Sequence, residues 1–169
     1  MSITESRLRR FKDAQDRSAS GFDAALSEIR AGGKRSHWIW YVFPQLSGLG
    51  QSAASRTYGL DGVAEAEEYL RDPLLRSRLL TIATAVTEPV AGAGGVSLEW
   101  LMGSSIDVAK VVSSMTLFGA VAKRLHATEG VAEYASVAGV ADEILALASA
   151  EGYEPCQFTL SHLRRSQAI

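Results

Sequence analysis

The chain is predicted to be all-α, an irregular multihelical single domain over residues 1–169. Three observations predict it. Apolar residues recur at spacings of three and four through most of the sequence, the period of a helix with one buried face. Cap and stop residues punctuate those stretches, with serine or aspartate before them and glycine or proline after. The one strand-like segment, residues 36–43, finds no convincing partner strand, and an unpaired strand would leave its backbone polar groups unsatisfied.

Residues 6–17 read as a first helix, with Leu8, Phe11, Ala14 and Gln15 near one face. Ser20 is placed to cap a second, which carries Phe22, Ala25, Leu26 and Ile29 and stops at Gly32. SHWIWYVF, residues 36–43, has the aromatic and β-branched content of a strand, yet Ser36 could equally cap a short helix that must end before Pro44. Helix is the better reading, for want of a pairing partner. LSGLGQS is a glycine-punctuated turn, followed by a short helix to about Tyr58. Asp61 caps a helix through Leu70. Asp72-Pro73 opens another, expected to end before Pro89. After the AGAGG loop come one or two turns in SLEWLMG, then one or two helices over 104–127. A helix in VADEILALASAEG stops at Gly152, and a last short one lies in QFTLSHLRRSQ. The sum is eight or nine helices.

Composition narrows the function. Hydrophobic residues make up 47% and charged residues 21%, ordinary values for a globular core, so compositional disorder is not expected. Cys156 is the one cysteine; no internal disulfide and no zinc-type cluster can form, which fits a reducing compartment. The start has no apolar signal core, and no run of 18 uninterrupted apolar residues occurs, so a cytoplasmic protein without a membrane span is expected. Residues 1–58 hold nine Lys/Arg against five Asp/Glu, while the remainder is acidic, giving −2 overall. That balance disfavours a nucleic-acid-coating protein but leaves room for a local anionic ligand. Two oppositely charged solvated faces would explain it equally well. The oligomeric state is not legible in these features.

Two segments concentrate chemistry. In GGKRSHWIWYVFPQLSGLG, residues 32–50, glycines and basic residues precede a possible helix start, where outward N–H groups and the helix dipole favour an anion. Lys34 and Arg35 would add charge-assisted bonds, and Trp38, Trp40 or Tyr41 could stack on a planar group or simply be core. Gln45 follows them. GGKRS is not a Walker A loop, because Glu28 stands where its first glycine belongs and Arg35 where its Ser/Thr belongs. In GSSIDVAKVVSSMTLFG, residues 103–119, Asp107 and Lys110 sit at i, i+3 and can pair. Ser113, Ser114 and Thr116 cluster hydroxyls in an apolar run; they are either pocket lining or groups bonded back to their own helix. His126 and His162 read as surface residues. His37, with Asp107 behind it, is the candidate general acid or base. No metal-ligand spacing or cofactor motif is found, so no cofactor and no metal are expected.

KRSHWIWYVFPQLSGLGQS and IDVAKVVSSMTLFG together resemble the signature segments of the domain of unknown function 1810 family. RFKDAQ, SRTYGLDGVAEAEEYLRDPLLRSRLL and TLSHL extend the resemblance over nearly the whole chain. It implies a single, mainly α-helical domain, favours helix for HWIWYVF, and adds Tyr58 to the residues of interest. It also marks Lys34, Arg35, His37, Gln45, Asp107, Lys110, Ser113, Ser114 and Thr116. The chain departs from the family pattern at Leu101-Met102-Gly103 and at Val111-Val112, the latter in place of leucine-arginine. The resemblance carries no activity. The expectation is a pocket uniting the two segments around an anionic, nucleotide- or phosphosugar-like small molecule, with hydrolysis or group transfer as the chemistry if it is an enzyme. The alternative is a non-catalytic module that docks a protein or a nucleic-acid end through an aromatic and basic surface.

Overall fold

The computed structural model describes residues 3–167 and contains ten helices and no named strand among them. They are α1 (Ile3–Gln15), α2 (Phe22–Arg30), α3 (Ile39–Val42), α4 (Ala53–Tyr58), α5 (Gly62–Arg71), α6 (Pro73–Ala91), α7 (Leu98–Met102), α8 (Ser105–Glu129), α9 (Ala132–Ala150) and α10 (Gln157–Gln167). HWIWYVF is helical, but only over four residues. The turn after it and the segment before α5 meet in one isolated parallel bridge, Leu46 to Leu60.

α8 is the axis of the molecule. The 104–127 stretch forms one unbroken helix, begun by Ser104, whose hydroxyl accepts from the Asp107 N–H, and ended by Gly130 in the left-handed region at φ +68°. Every residue from Val111 to Gly119 is buried. α9 lies along α8, while α3, α5, α7 and α10 cover its other sides. α8 is long and apolar enough to cross a membrane by length and composition, and most of that stretch is buried inside the protein. Its hydrophobicity therefore has a sufficient cause in the core. Phe118 meets Tyr69 of α5 at 5.1 Å, and Tyr69 meets Phe11 of α1 edge-on at 5.2 Å, so one aromatic row links three helices.

α1 fixes the short α3. The buried Gln15 donates from Nε2 to the Tyr41 carbonyl at 2.7 Å and contacts the Tyr69 hydroxyl at 3.1 Å. A four-residue helix satisfies few of its own backbone groups, and this amide supplies one of the missing partners.

Local signals misplace three boundaries and misread one cap bond. Gly21 rather than Ser20 caps α2, because a Cβ at position 21 would lie 2.2 Å from the Arg17 carbonyl oxygen; Ser20 instead gives its carbonyl to the Tyr41 hydroxyl. α6 runs through Pro89 to Ala91: the proline forfeits one i→i−4 bond, but it stands so near the end that the helix has only two more residues to continue. α9 starts at Ala132, earlier than VADEIL suggests, because its N-cap, Val131, offers no capping side chain to read. Asp61 stands at the N-cap of α5 but makes no cap bond; the Glu65 carboxylate reaches back to its N–H at 2.6 Å.

α8 and α9 approach closely where Gly119 faces Ala141, and an added Cβ there would meet the Ala141 Cβ at 3.1 Å. Gly139, on the solvent side of α9, faces open space. Gly119→Leu is expected to destabilise by about 1–3 kcal/mol through overpacking. Gly139→Ala should stabilise by about 0.5–1 kcal/mol through helix propensity. Urea denaturation of both variants measures the pair, and equal effects of the two would contradict this packing.

Candidate functional site

The site begins with Glu28 near the end of α2. The chain turns back at Gly32, at φ +101°, and lays residues 34–38 across the Glu28 carboxylate. Oε2 accepts from the backbone N–H of Arg35 at 2.7 Å, that of Ser36 at 3.0 Å and the Trp38 indole at 2.9 Å. Oε1 accepts from the Ser36 hydroxyl. Burial pushes the Glu28 carboxyl up, but these donors outweigh it and hold the pKa down at about 2. This knot fixes which side chains of the segment face inward. Trp38 is fully buried and is core. The side chains of Arg35 and His37 are exposed.

Lys34 turns inward. Its N–H donates to the Leu101 carbonyl at 2.8 Å, and its ammonium lies 2.8 Å from Asp107 Oδ2 and 5.4 Å from the centre of the Trp38 ring. Lys110, one turn along α8, lies 2.9 Å from Oδ1 of the same carboxylate and 4.6 Å from the centre of the Trp40 ring. The three side chains are only 8%, 14% and 20% exposed for Lys34, Asp107 and Lys110. Burial pushes the Asp107 carboxyl up, but the two ammonium groups hold it below its ordinary value. Two cations on one anion leave a net positive centre at the start of α8, where Lys34 is sealed and Lys110 is the member nearest to solvent.

Lys110 lines a cleft of about 470 Å³. One wall is Trp40, Gln45, Leu49 and the turn to Ser55; the other is the face of α8 with Ile106, Ala109, Lys110 and Ser113. The two chemistry-bearing segments thus meet across one opening. No carboxylate lines it among the described residues. Lys110 supplies the cation, Gln45, Ser52, Ser55 and Ser113 supply neutral hydrogen-bonding groups, and Trp40, Leu49 and Ile106 supply apolar surface. Ile106 is 68% exposed, an apolar residue left open at the cleft.

The remaining predicted residues divide by helix geometry. Tyr58 lines a smaller recess beside the cleft, together with Trp40 and Gln45, and its hydroxyl accepts from Arg17 at 3.2 Å. Ser114 is fully buried, and its hydroxyl has no partner among the described residues. Thr116 is structural in its contacts: it donates to the Val112 carbonyl at 2.7 Å and accepts from the Cys156 N–H at 3.2 Å, tying α8 to the start of α10. His37 and Asp107 are not brought together, since Asp107 is occupied by the two lysines. The His37 imidazole has no hydrogen bond among the described residues.

Sequence reasoning missed Glu28 as the organiser of the segment and Cys156 behind the cleft. Burial pushes the Cys156 thiol up, but the hydroxyls of Ser113 and Thr159 and the first N–H groups of α10 hold it below its ordinary value. An acidic residue shortly before a glycine turn was the available signal for Glu28. Nothing in sequence spacing points from position 156 to position 113.

The chain matches a family model described as a protein of unknown function, DUF1810, over residues 5–143. Its fold is similar to the crystal structure, at 1.38 Å, of the conserved hypothetical protein Rv1873 from Mycobacterium tuberculosis. That likeness has a TM-score of 0.66 and 33% identity, and covers 91% of this chain and 94% of the other. No curated protein matches the chain.

The Glu28 knot predicts a pH dependence. A carboxyl whose folded pKa is depressed adds stability that is fully present above the unfolded value, near 4.5, and is lost as pH falls through about 2. Glu28→Gln is expected to cost about 1–3 kcal/mol at neutral pH, because an amide nitrogen then faces donors. The variant should also show a shallower loss of stability from pH 4.5 to 2. Parallel acid titrations followed by circular dichroism decide this; superimposable slopes would remove Glu28 from the role.

Proposed function

Since the chain belongs to the DUF1810 family of proteins of unknown function, whose name assigns no chemistry, we propose a function from the cleft itself: it binds an anionic small molecule with a planar or apolar part, of the nucleotide or phosphosugar class. One observation carries the reading. Two segments far apart in sequence each contribute polar and apolar groups to one opening, with a cation and no carboxylate on its walls. A volume of about 470 Å³ suits such a ligand. Lys110 is the anion's partner. Its ammonium is paired with Asp107 at 2.9 Å and is therefore held in place rather than free to swing. The half-buried Trp40, with Leu49 and Ile106, takes the planar part. Gln45 and Ser113 orient polar substituents.

If a reaction follows binding, hydrolysis or group transfer remains the proposed class, in a cytoplasmic protein. His37 would have to swing in from the surface to serve as acid or base, so binding is the better supported half of the proposal. The alternative of an aromatic and basic docking surface built from residues 34–41 gains less support: Trp38 and Tyr41 are buried and Lys34 is sealed, leaving Arg35 and His37 as its exposed members.

The test is a thermal-shift screen with nucleotides, dinucleotides, ADP-ribose and sugar phosphates. A ligand at ~100 times its Kd adds about 2.7 kcal/mol, a shift of several degrees for a chain of this size. At least one phosphorylated compound should raise the melting temperature. Lys110→Ala and Trp40→Ala should each abolish the shift, while Lys123→Ala, on the solvent side of α8, should keep it. Silence across the set, or a shift that survives Lys110→Ala, would sink the reading.

A further inference from the structure

α7 presents a second site, independent of the cleft. This helix buries Leu98, Leu101 and Met102, and its period therefore turns Glu99 and Trp100 outward. Trp100 is 71% exposed, the most open large apolar side chain among the described residues. Nothing in the packing of α7 requires an indole at that position. Trp100 stands over a groove of about 570 Å³, whose other walls are Ser97, Glu99, Gly103, Glu151 and Tyr153. No lysine or arginine lines it among the described residues.

The two carboxylates are anchored and uncompensated. Glu99 Oε2 accepts from the Tyr153 hydroxyl at 3.2 Å, and Glu151 Oε1 accepts from the Leu98 N–H at 2.8 Å at the start of α7. Neither takes part in an ion pair among the described residues, and the second oxygen of each has no partner there. Desolvation first, and then the charges of Glu99 and Glu151, push the Tyr153 hydroxyl up. An open indole flanked by two fixed carboxylates is complementary to one chemistry in particular. A guanidinium is planar, weakly hydrated, stacks on aromatic faces and forks its N–H groups onto carboxylate oxygens. A lysine ammonium matches the charge but not the plane.

We propose that this groove binds an arginine-bearing segment of a partner protein, its guanidinium stacked on Trp100 and bonded to the free oxygens of Glu99 and Glu151. The groove is larger and more open than one guanidinium needs, which favours a peptide segment over a free amino acid. Charge complementarity commits the choice of partner: the groove is acidic, so the segment is basic.

Isothermal titration calorimetry on the intact protein tests it, with a blocked five-residue peptide carrying two arginines between glycines as the probe. The arginine peptide should bind measurably at low salt, and more weakly as salt rises. The same peptide with citrulline should bind at least tenfold more weakly, as should the lysine peptide and free arginine. Trp100→Ala and Glu99→Gln/Glu151→Gln should each lose at least tenfold while melting within about two degrees of the parent, since surface substitutions of this kind barely alter stability. Lys110→Ala should bind the peptide normally, which separates this site from the cleft. No binding, equal binding of the citrulline or lysine peptide, free arginine binding as tightly as the peptide, or retention of affinity in the groove variants would each overturn the proposal.

Discussion

The middle of α8 cannot face water, and the rest of the architecture answers that constraint. From Val111 to Gly119 no residue is exposed, so neighbours must cover the helix on every side. α9 can lie flush because Gly119 and Ala141 are small. The aromatic row Phe118, Tyr69 and Phe11 carries the core outward to α5 and α1. The short helices α3 and α7 are too brief to be stable alone and persist as covers for this core. The polar chemistry is consequently displaced to the first turns of α8, where Asp107 and Lys110 emerge from the apolar run.

That displacement explains the character of the cleft. A carboxylate as enclosed as Asp107 needs compensation, and two lysines from opposite segments provide it. The arrangement fastens the loop after α2 to α8 and leaves one ammonium at the edge of the opening. Glu28 does the complementary work in the loop. By accepting from Arg35, Ser36 and Trp38 it fixes the order in which successive side chains turn in or out. Positioning in this region comes from two carboxylates that are not among the residues lining the cleft, and its charge from the lysines that Asp107 holds.

Much of this was legible in the sequence, and the remainder was hidden for identifiable reasons. Period exposed α2 and α5, and period with a capping residue exposed α6 and α8, because amphipathic or continuously apolar stretches leave strong signals. The i, i+3 spacing announced the pair of Asp107 and Lys110. Its third member, Lys34, joined only through tertiary packing, which no spacing encodes. Trp38 and Trp40 could not be sorted into core and cleft wall, because a four-residue helix is too short for its period to define a face. The hydroxyls of Ser113, Ser114 and Thr116 looked alike as a cluster, yet consecutive helix positions point about 100° apart, and the three meet the cleft, the core and α10 respectively. Glu28 stayed hidden because its partners are mostly backbone amides, which every sequence contains.

The three tryptophans stand at three depths: Trp38 sealed in the core with its indole on Glu28, Trp40 half-covered at the cleft, and Trp100 open to solvent. The molecule therefore carries a graded set of native optical reporters. An aqueous collisional quencher reaches Trp100 first, Trp40 in part and Trp38 only when the fold opens. Emission colour follows the same order, from red-shifted to blue. Intrinsic fluorescence can thus distinguish an event at the α7 groove, an event at the cleft and loss of the core without any label, each through a different indole.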